Sequence, residues 1–353
     1  MRKNVEAHAR YYRVKEELTE YIQIGAASLG LLIRNVSVPN GPSLLGGFVD
    51  ACGVSHWTSG KNYAEPVRKT HDVNRTFSRY AVVQHAAAFD LFSRNIVCDF
   101  ARFSQWAREH VPGLEHDHIL VLYTPQKRWG MSPCCNEMAN KIGDLKDRLP
   151  DMERLLLWKP SAKVKSIEPL FDLCRMIRNR IVHADSLIGS ELETFSASAA
   201  VTTALKAFRT HFTRRDAPPL PVFERGRLLD LLPVHAIFFG AVLYEFAKEL
   251  NDHVCSNMTD GEFIDMAFYY GALADFHSYR TIRHRTAAAR VSYFLDGRYL
   301  LGKSISREAV IRRLKSQEVK VRDKNEDIET DLWKITGQRH QELSELEKPQ
   351  EPV

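Results

Sequence analysis

The chain has 353 residues, 44% of them hydrophobic and 26% charged, and its formal net charge is +5. This composition is that of an ordinary globular protein and not of a disordered one, and the length allows two domains or one core with large appendages. The longest apolar run, Leu231 to Phe246, contains Pro233 and Glu245 and falls short of the roughly 18 residues that a membrane span needs. The sequence therefore predicts a soluble globular protein with no membrane partner.

Helical patterns dominate the chain from its first residues. Residues 1–33 become apolar at helical spacing, whereas 34–74 are rich in glycine and proline and predict an irregular connection. A long helix is predicted over 76–109, then a short strand at 119–123 and a helix at 136–149. Further helices are predicted over 165–183, 191–213, 228–250 and 261–315. The predicted fold class is all-α, a helical bundle with helical N- and C-terminal extensions.

The charge distribution adds a boundary near the C-terminus. Residues 280–322 contain twelve lysines and arginines against three acids, whereas 323–353 contain nine acids against four basic residues. Four regions are predicted, an N-terminal extension at 1–74, a helical domain at 75–255, a basic helical region at 256–322 and an acidic tail at 323–353.

Six cysteines are spread along the chain, and Cys134 and Cys135 are adjacent, so they are poorly placed to bridge each other. Cys98 and Cys174 lie in apolar helical patterns, where free cysteine behaves as a small buried residue. This usage is typical of a reducing compartment and predicts a cytoplasmic protein. The His-Asp-His run at 116–118 and the adjacent cysteines lack the cysteine gap of zinc sites, so neither a metal nor another cofactor is expected.

The helix predicted over 165–183 carries the candidate catalytic residues. Its apolar stripe consists of Leu170, Cys174, Ile177 and Ile181. At about 100° per residue, Arg178 lies roughly 70° from the centre of this stripe, and Asn179 and His183 lie roughly 150–170° away. The three polar residues therefore face away from the core of their own subunit. Such a face suits a cleft, and pairing with a second copy of the chain can build one.

These residue types suit RNA cleavage. Attack of a 2′-hydroxyl on the neighbouring phosphate needs a group that takes and returns protons, and histidine titrates near neutrality. The phosphorane needs positive charge, which arginine supplies through two parallel hydrogen bonds. Asparagine can orient either neighbour or the phosphate.

The sequence Arg178-Asn179-Arg180-Ile181-Val182-His183 resembles the signature of the HEPN superfamily, an Arg, often followed by Asn, and a His four to six residues further on. The resemblance covers roughly residues 75–255 and implies a bundle of four or five helices. It further implies a metal-independent endoribonuclease that acts as a homodimer, with two motifs meeting across a two-fold axis. By that resemblance Arg178 stabilises the phosphorane, His183 is the general acid and base, and Asn179 is a positioning residue. It also implies a role in toxin–antitoxin or antiviral defence systems, with an antitoxin or regulatory partner. Asp185 departs from this picture, because it puts an acid beside the phosphate path.

The bare Arg–His spacing is not specific. Arg79 and His85 also fit it, but they lie on a stretch rich in alanine and valine, where His85 is interpreted as a packing residue. Two alternatives stay open, a non-catalytic helical module that binds RNA or a partner protein, and a nucleotide-binding regulator that cuts nothing.

The basic region is the predicted guide for RNA, because clustered arginines and lysines favour a polyanion. Its aromatic residues Tyr279, Tyr293 and Tyr299 are candidates for stacking on bases, whereas Phe294 is expected to pack in the core. The predicted RNA contacts are Arg280, Arg283, Arg285, Arg290, Arg312, Arg313 and Lys315.

Overall fold

The computed structural model of the protein describes residues 3–52, 65–112, 140–213, 217–273, 287–302 and 304–316. Helices account for nearly all regular structure in these ranges. No strand occurs in them, and an isolated antiparallel bridge joins Leu187 to Leu228. The predicted all-α class is confirmed for this part of the chain.

Among the described residues, three α-helices exceed twenty residues and the others are shorter. We number the α-helices in chain order, and a short π-helix, Tyr269–Leu273, follows α11. Their bounds are α1 Glu6–Val36, α2 Gly41–Ala51, α3 Pro66–Phe103, α4 Gln105–His110, α5 Arg148–Leu156, α6 Ala162–Lys165, α7 Glu168–His183, α8 Ser190–Ser196, α9 Ala199–His211, α10 Pro233–Ser256, α11 Asp260–Phe268, α12 Ala287–Gly297 and α13 Arg307–Ser316.

Three predicted elements differ from the structure where the two can be compared. The stretch 34–74 was predicted to be irregular, yet it contains α2 and the start of α3. Pro42 does not break α2, because it occupies one of the first two helical positions, where no intrahelical N–H bond is lost. Within the helix predicted over 136–149, residue 140 is helical but 141–147 are not, and α5 begins at Arg148. Within 261–315, which was predicted to be helical, residues 298–302 and 304–306 are not helical. The predicted strand 119–123 lies outside the described residues.

The chain divides into two compact units that alternate along the sequence. We call Tyr12–Asp90 with Pro160–Phe246 the motif unit, because it contains Arg178. Met1–Tyr11, Leu91–Lys159 and Ala247–Val353 form the terminal unit. These limits differ from the predicted boundaries at 75 and 255, since α1, α3 and α10 each contribute residues to both units.

Phenylalanine rings hold the helices of the motif unit together. The ring of Phe171 on α7 lies 5.5 Å from that of Phe89 on α3 and 5.2 Å from that of Phe246 on α10. Phe208 on α9 meets Phe238 on α10 edge-on at 5.3 Å. Such aromatic contacts add about 0.5–1.5 kcal/mol each beyond the area they bury. They anchor α7 from two sides.

The terminal unit buries charged and polar groups. Asp99, on α3, is fully buried, and its two carboxylate oxygens accept hydrogen bonds from the Tyr270 hydroxyl at 2.5 Å and the Ala7 N–H at 2.8 Å. Burial raises the pKa of Asp99 to about 6, although both hydrogen bonds oppose that rise. Glu6, also buried, pairs with Arg10 and Arg298. Each of these two buried carboxylates therefore has hydrogen-bonding partners.

Two further findings concern the whole described chain. Within the described ranges, no helix has both the length and the apolar character needed to cross a bilayer. The four cysteines that the structure describes are free thiols, Cys52 exposed and Cys98, Cys174 and Cys255 buried. The predicted packing role of Cys98 and Cys174 is thereby confirmed.

Candidate functional site

Helix α7 positions the candidate catalytic residues at its C-terminal end. Pro169 occupies one of its first two positions and Glu168 its first turn, both favourable at a helix N-terminus. The predicted apolar stripe is buried at Leu170, Cys174 and Ile177, whereas Ile181 is half-buried. Burial thus fades toward the last turn, which leaves the motif end of the helix accessible.

The three motif side chains are joined to one another. The Arg178 Nη1 group donates a hydrogen bond to the Asn179 Oδ1 atom at 3.0 Å, and the same nitrogen lies 3.4 Å from His183 Nε2. Since the guanidinium can only donate, His183 Nε2 is the acceptor of this contact. The imidazole is exposed, and the other two side chains are half-buried. One arginine therefore contacts both other motif side chains at the C-terminal end of α7.

The charge of Arg178 is not neutralised locally. Among the described residues, no carboxylate lies within ion-pair distance of its guanidinium. On the same helix, Arg175 is by contrast paired with Asp172 at 3.1 Å. Arg178 therefore keeps N–H donors for an anion from outside, and guanidinium groups bind phosphate in this way.

The chain reverses directly after His183 and is clamped there. Asp185 and Ser186 have φ angles of 47° and 63°, and the Ser186 N–H donates to the Arg180 carbonyl at 3.0 Å. This pattern closes a helix with left-handed residues. The Arg180 guanidinium then lies against Gly189, where a Cβ would come within 2.2–2.9 Å of its atoms. A side chain at position 189 would displace that arginine.

A segment that is distant in the sequence, 226–229, also holds the loop that follows α7. Its backbone pairs with the loop after α7 through hydrogen bonds from Ile188 N to Arg227 O, from Gly226 N to Ile188 O and from Leu229 N to Ser186 O, each 2.9 Å long. Sequence reasoning missed this segment, because about forty residues separate it from the motif. Its only local signal is Gly226, which adopts a φ of 81° that favours glycine.

Exposed apolar side chains surround the end of α7. Val182 on the motif face is 44% exposed, and Leu187 and Leu228 are 45% and 59% exposed. The backbone bridge places the two leucines side by side. Grouped apolar exposure next to polar residues is typical of a surface that another molecule covers.

The second Arg–His pair of suitable spacing is not a site. His85 is fully buried on α3, as the packing interpretation requires, and burial lowers its pKa to about 4. Among the described residues, neither ring nitrogen has a hydrogen-bond partner. The thiol of Cys174 is similarly inert, because burial raises its pKa to about 12.

The predicted RNA contacts of the basic region have different environments. Arg290 is 3% exposed, and its Nε donates to the Gly271 carbonyl at 3.0 Å, so it cannot reach an external phosphate in this structure. Arg313 forms a two-pronged pair with Asp265 at 3.0 and 2.6 Å. Arg312 is exposed. Arg280, Arg283, Arg285 and the side chain of Lys315 lie outside the described residues.

The predicted aromatic residues of this region are also mostly packed. Phe294 is 2% exposed, as expected, but Tyr299 is fully buried and so cannot stack on a base. Tyr293 is 48% exposed. Tyr279 lies outside the described residues, as do the histidines and cysteines of the 116–118 and 134–135 runs. In the part that is described, no three metal-binding side chains come together.

Comparison with known proteins adds no family assignment. No protein-family profile matches the sequence, and no curated protein or solved structure is significantly similar to it. The likeness to the HEPN superfamily therefore rests on the motif between Arg178 and His183 and stays a prediction.

Proposed function

We propose that the chain is a metal-independent endoribonuclease whose site is formed by Arg178, Asn179 and His183 of two copies. The observation that carries this proposal is the joined arrangement of the three side chains at the accessible end of α7. There the arginine lies within 3.4 Å of both partners and has no described carboxylate within ion-pair distance. A packing arginine on a helix surface needs neither property.

In the proposed reaction, His183 takes the proton of a 2′-hydroxyl, whose oxygen then attacks the adjacent phosphorus. A bond forms between O2′ and phosphorus, and the bond from phosphorus to O5′ breaks. The leaving O5′ atom takes a proton from His183 of the second copy. Arg178 holds the charged non-bridging oxygens, and Asn179 fixes the direction of the guanidinium. The products are a 2′,3′-cyclic phosphate and a 5′-hydroxyl.

The exposed apolar residues around the motif support pairing of two copies. Val182 lies on the same face as the catalytic residues, and Leu187 and Leu228 lie beyond the helix end. Covering them in a symmetric contact would remove apolar surface from water and bring two motifs together. The resemblance is the ground for the finer parts of the proposal, namely cytoplasmic action in toxin or defence systems and an antitoxin or regulatory partner.

A cleavage assay in EDTA tests the proposal. We expect the wild type to cut single-stranded RNA and to leave 2′,3′-cyclic phosphate ends. His183→Ala and Arg178→Ala should each lower the rate by about 10²–10⁴-fold, the usual range for a general acid–base group. His211→Ala, which removes an exposed histidine at the end of α9, and Arg68→Ala are the matched controls and should cut normally.

Equal cleavage by the wild type and both motif variants would refute the proposed site. If the protein binds RNA without cutting it, and the motif variants bind as well as the wild type, the alternative of a non-catalytic RNA-binding module gains support.

A further inference from the structure

The terminal unit contains a groove that the proposed nuclease site does not use. It lies between α12 and α13 and has a volume of about 680 Å³. Ala289, Tyr293 and Asp296 line it from one side, and Ile305 and Arg307 from the other. The volume falls within the range of about 300–1,000 Å³ that is typical of small-molecule sites. The groove is therefore large enough for a ligand of that size.

Opposite charges stand in this groove without neutralising each other. Neither Asp296 nor Arg307 forms an ion pair with any residue that the structure describes. The side chain of Asp296 lies against Gly302, where a Cβ would come within 2.3–2.6 Å of it, so only glycine leaves this room. Glu308, next to the arginine, is hydrogen-bonded to Ser306 and interacts with the charge of Arg307 without forming an ion pair with it. A ligand with donors at one end and an anion at the other would satisfy both charges.

An aromatic ring, that of Tyr293, lines the same wall of the groove as Asp296. Tyr293 precedes Asp296 by three residues, so both project from the same side of α12. The ring is half-exposed, and the guanidinium of buried Arg290 lies 5.7 Å from its centroid. That arginine is held in turn by the Gly271 carbonyl. The tyrosine is thus supported by a buried group and presents an accessible aromatic surface.

We propose that this groove binds a guanine nucleotide. The base stacks on Tyr293, its two adjacent N–H donors meet the Asp296 carboxylate, and its phosphate binds Arg307. Guanine is the base whose pairing edge offers two neighbouring donors to a carboxylate. The nucleotide is either free or part of an RNA strand, and both sources use the same contacts. This binding requires no cleavage, so it stands apart from the proposed nuclease activity.

Calorimetric titration of the full chain tests the proposal with two ligands, guanosine 5′-monophosphate and a 2′-O-methyl RNA decamer with one guanosine. The decamer cannot be cleaved, because its 2′-oxygens are blocked. We expect Tyr293→Ala to weaken binding at least about fivefold, the lower end of what one base–aromatic stack provides. Arg307→Gln should weaken it comparably. Asp296→Asn should reduce the preference for the guanine over the adenine nucleotide.

The control is Arg68→Gln, which removes an exposed arginine outside the groove and should leave binding of the mononucleotide unchanged. Ala289→Trp should abolish binding by filling the groove, while the circular dichroism spectrum stays that of the wild type. Binding of the mononucleotide supports a free ligand, and binding of the decamer alone supports a strand. The proposal is overturned if neither ligand binds at millimolar concentration, or if the groove variants bind as tightly as the wild type.

Discussion

The buried histidine of the motif unit allows a quantitative test of the structure. His85 is fully buried on α3, and neither ring nitrogen has a hydrogen-bond partner in the part of the chain that the structure describes. A Cβ on Gly240 would come within 2.7–2.9 Å of the ring, so the facing helix leaves no room for a larger group. We predict that His85→Leu, which removes the unpaired polar atoms at similar volume, stabilises the protein, because each unsatisfied buried group costs about 1–3 kcal/mol.

The same substitution should change how stability depends on pH. Burial, with a smaller contribution from the charge of Lys15, lowers the pKa of His85 from 6.5 to about 4 in the folded state. Above pH 6.5 the ring is neutral in both states and stability does not depend on it. As the pH falls below 6.5, only the unfolded chain takes up the proton, so stability is lost down to about pH 4. With these two pKa values, the free energy of unfolding falls by about 2 kcal/mol at pH 5 and by about 3 kcal/mol once the pH is below both values.

Urea denaturation followed by circular dichroism at pH 8 and pH 5 measures both effects. The difference in unfolding free energy between His85→Leu and the wild type should grow by about 2 kcal/mol between the two pH values. His71→Leu, an exposed histidine on the same helix, is the control and should show no such growth. Parallel losses in the wild type and the His85 variant would refute the reasoning.

Three further predictions concern other parts of the molecule. Tyr270→Phe removes a hydrogen bond to Asp99 and should lower the free energy of unfolding by about 1–3 kcal/mol. Because the pKa of Asp99 is raised to about 6, this loss should be larger at pH 8, where the carboxylate is charged, than at pH 5. Equal losses at the two pH values in urea denaturation would contradict this. Gly189→Ala displaces the flexible end of the Arg180 side chain and should cost less than about 1 kcal/mol of unfolding free energy; a loss of several kcal/mol would mean that the backbone is strained instead. Val182→Asp should abolish the proposed dimer in sedimentation experiments and, with it, cleavage, while unfolding changes by less than about 0.5 kcal/mol; an active dimer would argue against this contact surface.

Local patterns in the sequence were sufficient to predict the all-α class and the burial of most of the apolar stripe of α7. Leu170, Cys174 and Ile177 recur at helical spacing, and a helix can bury such a stripe in only one direction. The same geometry placed Arg178 and His183 together at one end of the helix, since residues of one helix have a fixed relation to each other. The glycines and prolines of 34–74 misled the prediction, because Pro42 falls at a helix start, where proline is tolerated.

Contacts between residues that are distant in the sequence decided which side chains are buried and which segments meet at the site. The sequence determined that Arg290 and Arg312 are basic, but only the tertiary structure buried the first against the Gly271 carbonyl and left the second exposed. It likewise brought residues 226–229 beside the end of α7. The physical reason is that periodicity and charge are properties of a local stretch of chain. Exposure and hydrogen bonding depend on which other segments pack against it, and those segments lie tens of residues away.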